Sequence, residues 1–243
     1  MIKRFYSPSE TYYILYKQIL DGTHTLIAGT TGSGKSVLMS GLICTLMQTN
    51  APPQAEYILI DPKRVELSPY QKTFFCKAYA NDITAFNALD SVIKLMESRY
   101  IQMEQEGIRK WNGASLYVFI DEFADLMLTN KKQCEMKICR IAQLGRAAGI
   151  HLIIATQRPT RDIITGTIKC NLDTRIALRC PSAQDSRNII GINGAESLPK
   201  YGQGYILNPD GLTLWNIPMI EEETQNRLID YWSSKRCYDH KSI

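Results

Sequence analysis

Short apolar runs alternate with longer stretches of helical period along the chain. The strand-like runs fall at residues 25–28, 57–60, 116–120, 150–155 and 174–178, and the helix-like stretches at 35–48, 83–106, 132–148 and 184–190. Strands separated by helices predict a mostly parallel sheet with helices on both faces, an α/β fold. From Tyr205 the pattern changes to YILNPDGLTLW, two apolar runs around an Asn-Pro-Asp-Gly turn, which predicts a hairpin. A last helix is expected at 221–234. Its start carries Glu221, Glu222 and Glu223, and Lys235 with Arg236 follow its end. Those charges match the helix dipole and need no other role. No repeat or low-complexity tract interrupts the pattern, so 1–243 is expected to form a single domain: a core at about 24–207, an N-terminal extension at 1–23, and the hairpin and helix at 208–243.

Composition narrows the class. With 44% hydrophobic and 21% charged residues, the chain can bury a sizeable core and lacks the signature of disorder. A net charge of +4 is compatible with nucleic acid but selects no partner. The seven cysteines form no C-x-x-C pair, which fits reduced thiols in a cytoplasmic protein. His24, His151 and His240 lack ligand spacing and are read as core or surface residues. No run reaches the roughly 18 apolar residues that a membrane helix requires, so no membrane segment of its own is expected.

One stretch carries chemistry of its own. In HTLIAGTTGSGKSVLMSGL, Gly29, Gly34, Lys35 and Ser36 fit G-x-x-x-x-G-K-[ST] between a strand-like run and a helix-like one. In that context the pattern is a phosphate-binding loop. The loop Gly29, Thr30, Thr31, Gly32, Ser33, Gly34, Lys35 and Ser36 would turn backbone N–H groups toward a polyphosphate at a helix N-terminus. Lys35 would reach the β/γ-phosphates of ATP, and Ser36 would coordinate Mg²⁺. A second run, LYVFIDEFADLM, ends in paired acids. An acid at the carboxyl end of a parallel strand lies beside the phosphate loop. Asp121 is therefore expected to help hold Mg²⁺, and Glu122 to orient or deprotonate the attacking water. Asp125 falls in the next turn, where a solvated or capping role is expected. A third strand ends in IIATQRP, placing Thr156 and Gln157 at its tip, with Gln157 the expected sensor of the γ-phosphate.

GTTGSGKS, IDPKRVELSPY, VFIDEFADLM, LGRAAGIHLIIATQRPTRDIITGTIKCNLDTRIALRC, DSRNIIG and GAESL together resemble the motor domain of the FtsK/SpoIIIE DNA translocases, over roughly residues 25–206. The resemblance implies a RecA-like P-loop NTPase that forms a ring, usually hexameric. Such a ring threads double-stranded DNA through its channel while ATP is hydrolysed between subunits. No residue of the motifs themselves would neutralise the charge developing on the γ-phosphate, so an arginine from a neighbouring copy is expected. The resemblance points to Arg146, with Arg175 in reserve. Duplex contacts are expected from Arg158 and Arg161, in the loop with Pro159 and Thr160 after the sensor, and from Arg187. Ala183 stands where relatives often carry lysine, which removes one contact. Lys63, in Asp61-Pro62-Lys63-Arg64, is expected to support the nucleotide or the subunit interface.

The translocases' membrane spans and winged-helix module are not expected here. That suggests a motor serving a mobile element, plasmid or phage, with direction supplied by a relaxase, replication initiator or other DNA-processing partner. Two other functions fit the same loop: a secretion-type motor pulling polypeptide, and a nucleotide-dependent assembly factor.

Overall fold

The computed structural model describes residues 16, 17, 19, 24–50, 54–73 and 76–239, with 235–239 described by backbone only. Its centre is an eight-stranded sheet. The strands are β1 (His24–Ala28), β2 (Ala55–Ile60), β3 (Cys76–Tyr79), β4 (Ser115–Ile120), β5 (Ile150–Thr156), β6 (Thr174–Ala177), β7 (Gln203–Asn208) and β8 (Gly211–Asn216). They lie in the order β3-β2-β4-β5-β1-β6-β7-β8. The pairs from β3 to β6 are parallel, while β6–β7 and β7–β8 are antiparallel.

The central strands are continuous apolar runs because both of their faces are covered. All five residues of β1 are buried. The helices are α1 (Lys35–Thr49), α2 (Asp82–Glu106), α3 (Phe123–Leu144), α4 (Gly166–Asn171), α5 (Ala183–Ile190) and α6 (Glu222–Asp239). On one face lie α2, α3, α4 and α5, whose apolar side chains form one core cluster with Leu26, Val118, Leu152 and Ile154. The other face is covered by α1 and α6, which pack on Ile27, Phe119 and Ile153. Successive strand residues therefore feed opposite cores, as a period of two demands.

The hairpin forms where the apolar pattern predicts it. The final helix starts within a residue of its expected place but runs on to Asp239, so Lys235 and Arg236 lie inside it. Three other elements differ from expectation. α3 begins at Phe123, well before residue 132, and contains a break at Asn130 (φ −152°, ψ 84°). The polar Thr-Asn-Lys-Lys stretch around that break hides the first helical turns. α3 also stops at Leu144, not 148, because residues 145–149 turn sharply and Gly149 takes φ +67°. β3 and α4 carry too few residues for their periodicity to stand out. No helix among the described residues is long and apolar enough to cross a membrane.

The order β4-β5-β1 positions the site. These three strands are neighbours and parallel, so the loops leaving their carboxyl ends converge on one patch.

Candidate functional site

The loop after β1 has the conformation its glycines predict. Gly32 and Gly34 take φ +73° and +94°, a region closed to most L-residues. At Gly29 the constraint is space: a Cβ there would lie 2.6 Å from Ser33 Oγ and 2.8 Å from Leu178 Cβ. The loop is sewn to both neighbouring strands, with the Gly29 N–H donating to Thr156 O (3.3 Å) and the Thr30 N–H to Arg179 O (2.8 Å). Ser33 Oγ is buried and has no hydrogen-bond partner among the described residues. A buried orphan hydroxyl inside a cradle opened by glycines suits an oxygen-rich ligand.

At the head of α1 the Lys35 ammonium donates to Asp121 Oδ1 at 2.5 Å, with both side chains about 4% exposed. Sequence reasoning assigns the two residues to one phosphate site. In the structure they neutralise each other between the head of α1 and the carboxyl end of β4, as buried charges must. Ser36, one residue on, is only half-buried.

Glu122 is the most constrained residue of the group. Its backbone is left-handed (φ 50°, ψ 59°), which costs a non-glycine residue about 1–2 kcal/mol. Its side chain is 3% exposed. One carboxylate oxygen accepts from Thr156 Oγ1 and from the Gln157 N–H, both at 3.2 Å, and the other accepts from the Lys63 ammonium at 3.2 Å. Gln157 closes the circle by accepting from Thr31 Oγ1 of the glycine loop at 2.7 Å. The loop, the acid pair and the expected sensor thus form one hydrogen-bonded set. Asp125, in the first turn of α3, stands close enough to join its electrostatics. Burial pushes its carboxyl above the usual range, opposed by the charge of Lys63 and reinforced by that of Glu122.

Lys63 reaches Glu122 because Asp61 folds the intervening loop. Asp61 Oδ1 accepts from the N–H groups of Lys63 and Arg64, and Oδ2 from that of Leu67. A lysine that the sequence pattern misses also stands here: a Cβ on Gly32 would lie 3.5 Å from Lys200 Cε. The two are far apart in the chain, and no local signal joins them.

The loop after the sensor is exposed at Arg158 and Arg161. It is tied to the site through Thr156, whose hydroxyl accepts from the Arg158 N–H at 3.1 Å. Its far side is tied to the buried Asn188 of α5, which donates to Pro159 O at 2.6 Å and accepts from the Lys169 ammonium at 2.8 Å. Burial, and then the charges of Arg175 and Arg161, lower the pKa of Lys169. Arg187, on the exposed side of α5, is held by Asn193 and Gln184. Asn188 lies in the DSRNIIG stretch, but nothing in that stretch points to its bonds with Pro159 and Lys169.

Arg146 lies elsewhere. It is exposed in the turn before β5, at the amino end of a seven-residue strand; at about 3.3 Å per residue it is roughly 20 Å from the glycine loop of its own chain. That turn is braced from below. Buried Arg99 donates to the carbonyls of Ala148, Gly149 and Ala114, with its guanidinium 4.8 Å from the centre of the Trp111 ring. The backbone N–H of Trp111 donates to Ala147 O, and Tyr100 Oη to Leu144 O. Arg175 is half-buried instead, donating to Ile189 O at 3.0 Å.

Comparison with known proteins adds the family. The sequence profile described as "FtsK/SpoIIIE family" matches residues 9–115 and 112–161. The DNA translocase FtsK of Helicobacter pylori (strain J99) is 40% identical over 230 residues, covering 88% of this chain and 27% of that protein. The DNA translocase FtsK of Chlorobaculum tepidum is 44% identical over 196 residues, covering 72% and 24%. This chain therefore spans about a quarter of the length of the relatives it matches. Among solved structures, the pCW3 conjugation coupling protein TcpA, in a monomer form with ATPgS, superposes with a TM-score of 0.76 at 23% identity, covering 86% of this chain and 65% of that one. The cytoplasmic domain of the Type VII secretion ATPase EccC of Thermomonospora curvata gives 0.75 at 24% identity, covering 87% and 28%. These likenesses establish a shared fold.

Proposed function

The chain belongs to the FtsK/SpoIIIE family, and from that premise we propose that it is a P-loop ATPase whose ATP turnover moves double-stranded DNA through an assembly of identical copies. One observation carries the proposal: glycine loop, Lys35, Asp121, Glu122 and Gln157 form a single hydrogen-bonded set.

The chemistry follows from that set. The triphosphate lies in the cradle of residues 29–36, and Lys35 exchanges Asp121 for phosphate oxygens. Ser36 and Asp121 would hold Mg²⁺, which supplies charge neutralisation for the phosphates. No cluster of three or more His, Cys, Asp or Glu side chains able to hold a metal occurs among the described residues. This fits a cation that takes most of its ligands from phosphate and water. Glu122 orients the attacking water and receives its proton as the bond to the γ-phosphorus forms and the bond to the bridging oxygen breaks. Gln157 senses the phosphate. Arg146 cannot serve its own loop, so a neighbouring copy's Arg146 completes the site, with Arg175 the weaker candidate because it is tied to α5. An arginine so placed accelerates phosphoryl transfer by about 10³-fold or more.

Arg158, Arg161 and Arg187 supply duplex contacts of the phosphate-directed kind, which carry no sequence preference and weaken as salt rises.

ATP turnover measured with and without linear duplex tests the proposal. We expect strong stimulation by duplex, loss of turnover in Lys35→Ala, and loss of turnover with retained ATP binding in Glu122→Gln. Wild-type rates in both variants would reject the site. Stimulation by polypeptide alone would make the chain a secretion-type motor, and no stimulation by either would make it an assembly factor.

A further inference from the structure

The proposed function leaves unexplained why the ammonium of Lys63 lies against the carboxylate that should activate water. We propose that Lys63 is a releasable latch on Glu122, holding the carboxylate away from the attacking water until duplex is bound. The inference rests on the reading of Glu122 given above.

Three features support it. First, the contact is built. Asp61 uses both carboxylate oxygens to fix the backbone of residues 63–67, and the left-handed turn at Arg64 (φ 58°) completes the bend that delivers Lys63. A lysine merely lying along the surface would need no such scaffold. Second, the latch captures the whole carboxylate. Thr156 and Gln157 hold one oxygen and Lys63 the other, so Glu122 has no oxygen turned only to water. Third, the two sides differ in strength. Glu122 is buried, whereas the Lys63 side chain is 46% exposed. The exposed ammonium can exchange the carboxylate for water, so the pair can open without dismantling the site.

The opposite side of the carboxylate leads to the duplex-facing loop. Thr156 Oγ1 donates to Glu122 and accepts from the N–H of Arg158. A phosphate backbone that draws in Arg158 and Arg161 shifts Thr156 and loosens that grip, and the carboxylate then leaves Lys63 as well. Duplex stimulation therefore includes the opening of the latch. Lys63 acts through Glu122 and is a positioning residue.

The test is steady-state ATP turnover at saturating ATP, with and without linear duplex, for wild type, Lys63→Gln and Lys63→Arg, alongside Glu122→Gln. Lys63→Gln should raise duplex-independent turnover by about fivefold, the factor at the upper end of what a solvent-screened ion pair contributes. Its duplex-stimulated rate should stay near wild type, so the stimulation ratio falls by the same factor. Lys63→Arg keeps the pair and should restore the wild-type ratio. A fall in turnover under both conditions in Lys63→Gln would make Lys63 an aid to catalysis and overturn the latch, as would an unchanged ratio. A Glu122→Gln protein that turns over normally would overturn the latch through the reading beneath it, an outcome distinct from the other two.

Discussion

His24 at the start of β1 gives the chain part of its acid sensitivity. Its Nδ1 accepts from the Leu152 N–H at 3.1 Å inside the sheet, so a proton there would face another donor. Burial, followed by the charge of His151, pushes its pKa from 6.5 down to about 3. The unfolded chain thus binds a proton that the folded chain refuses. Stability is complete above the unfolded value and declines as pH falls below it, by about 1.4 kcal/mol per pH unit. Urea unfolding between about pH 6 and pH 4 should show that slope in wild type and a shallower one in His24→Gln. Of the core and surface places that its sequence left open, His24 takes the core one. At the same scale, the glycine loop and the acid pair were legible because their chemistry is written in adjacent residues. The hold of Lys63 on Glu122 was not, since 59 residues separate the partners and only the fold of the Asp61 loop brings them together.

At the scale of elements, what could be read depended on length and continuity. β1, β4 and β5 are largely apolar runs, and each forms within a residue of where its pattern predicts. α3 was half legible, because Asn130 breaks it and the stretch before the break opens with the acids of the site. β3, an edge strand of four residues, left too short a trace. The link between β5 and α5 was invisible for another reason: Asn188 is an ordinary helical polar residue until Pro159 and Lys169 close on its amide. Asn188→Ala removes both bonds and leaves a buried carbonyl unpaired, a cost of about 1–3 kcal/mol. We expect that variant to keep its duplex-independent turnover and lose most of the stimulation by duplex. Turnover assays at rising duplex concentration would show this as a lowered plateau.

For the whole molecule, the sheet sets the glycine loop and Arg146 at opposite ends of its strands. A copy that carries one intact end should then help a copy that carries the other. Arg146→Ala and Glu122→Gln proteins, each inactive alone, should recover partial turnover when mixed, because some interfaces join an intact Glu122 to an intact Arg146. Absence of recovery at every mixing ratio would remove Arg146 from the site. The brace of Arg99, Trp111 and Tyr100 beneath the turn adds a further consequence. A side chain mounted on so stiff a platform has no private hinge with which to advance or withdraw. On the proposed reading, its approach to the next nucleotide would follow how whole copies tilt against one another, so the joints between copies would carry that part of the cycle.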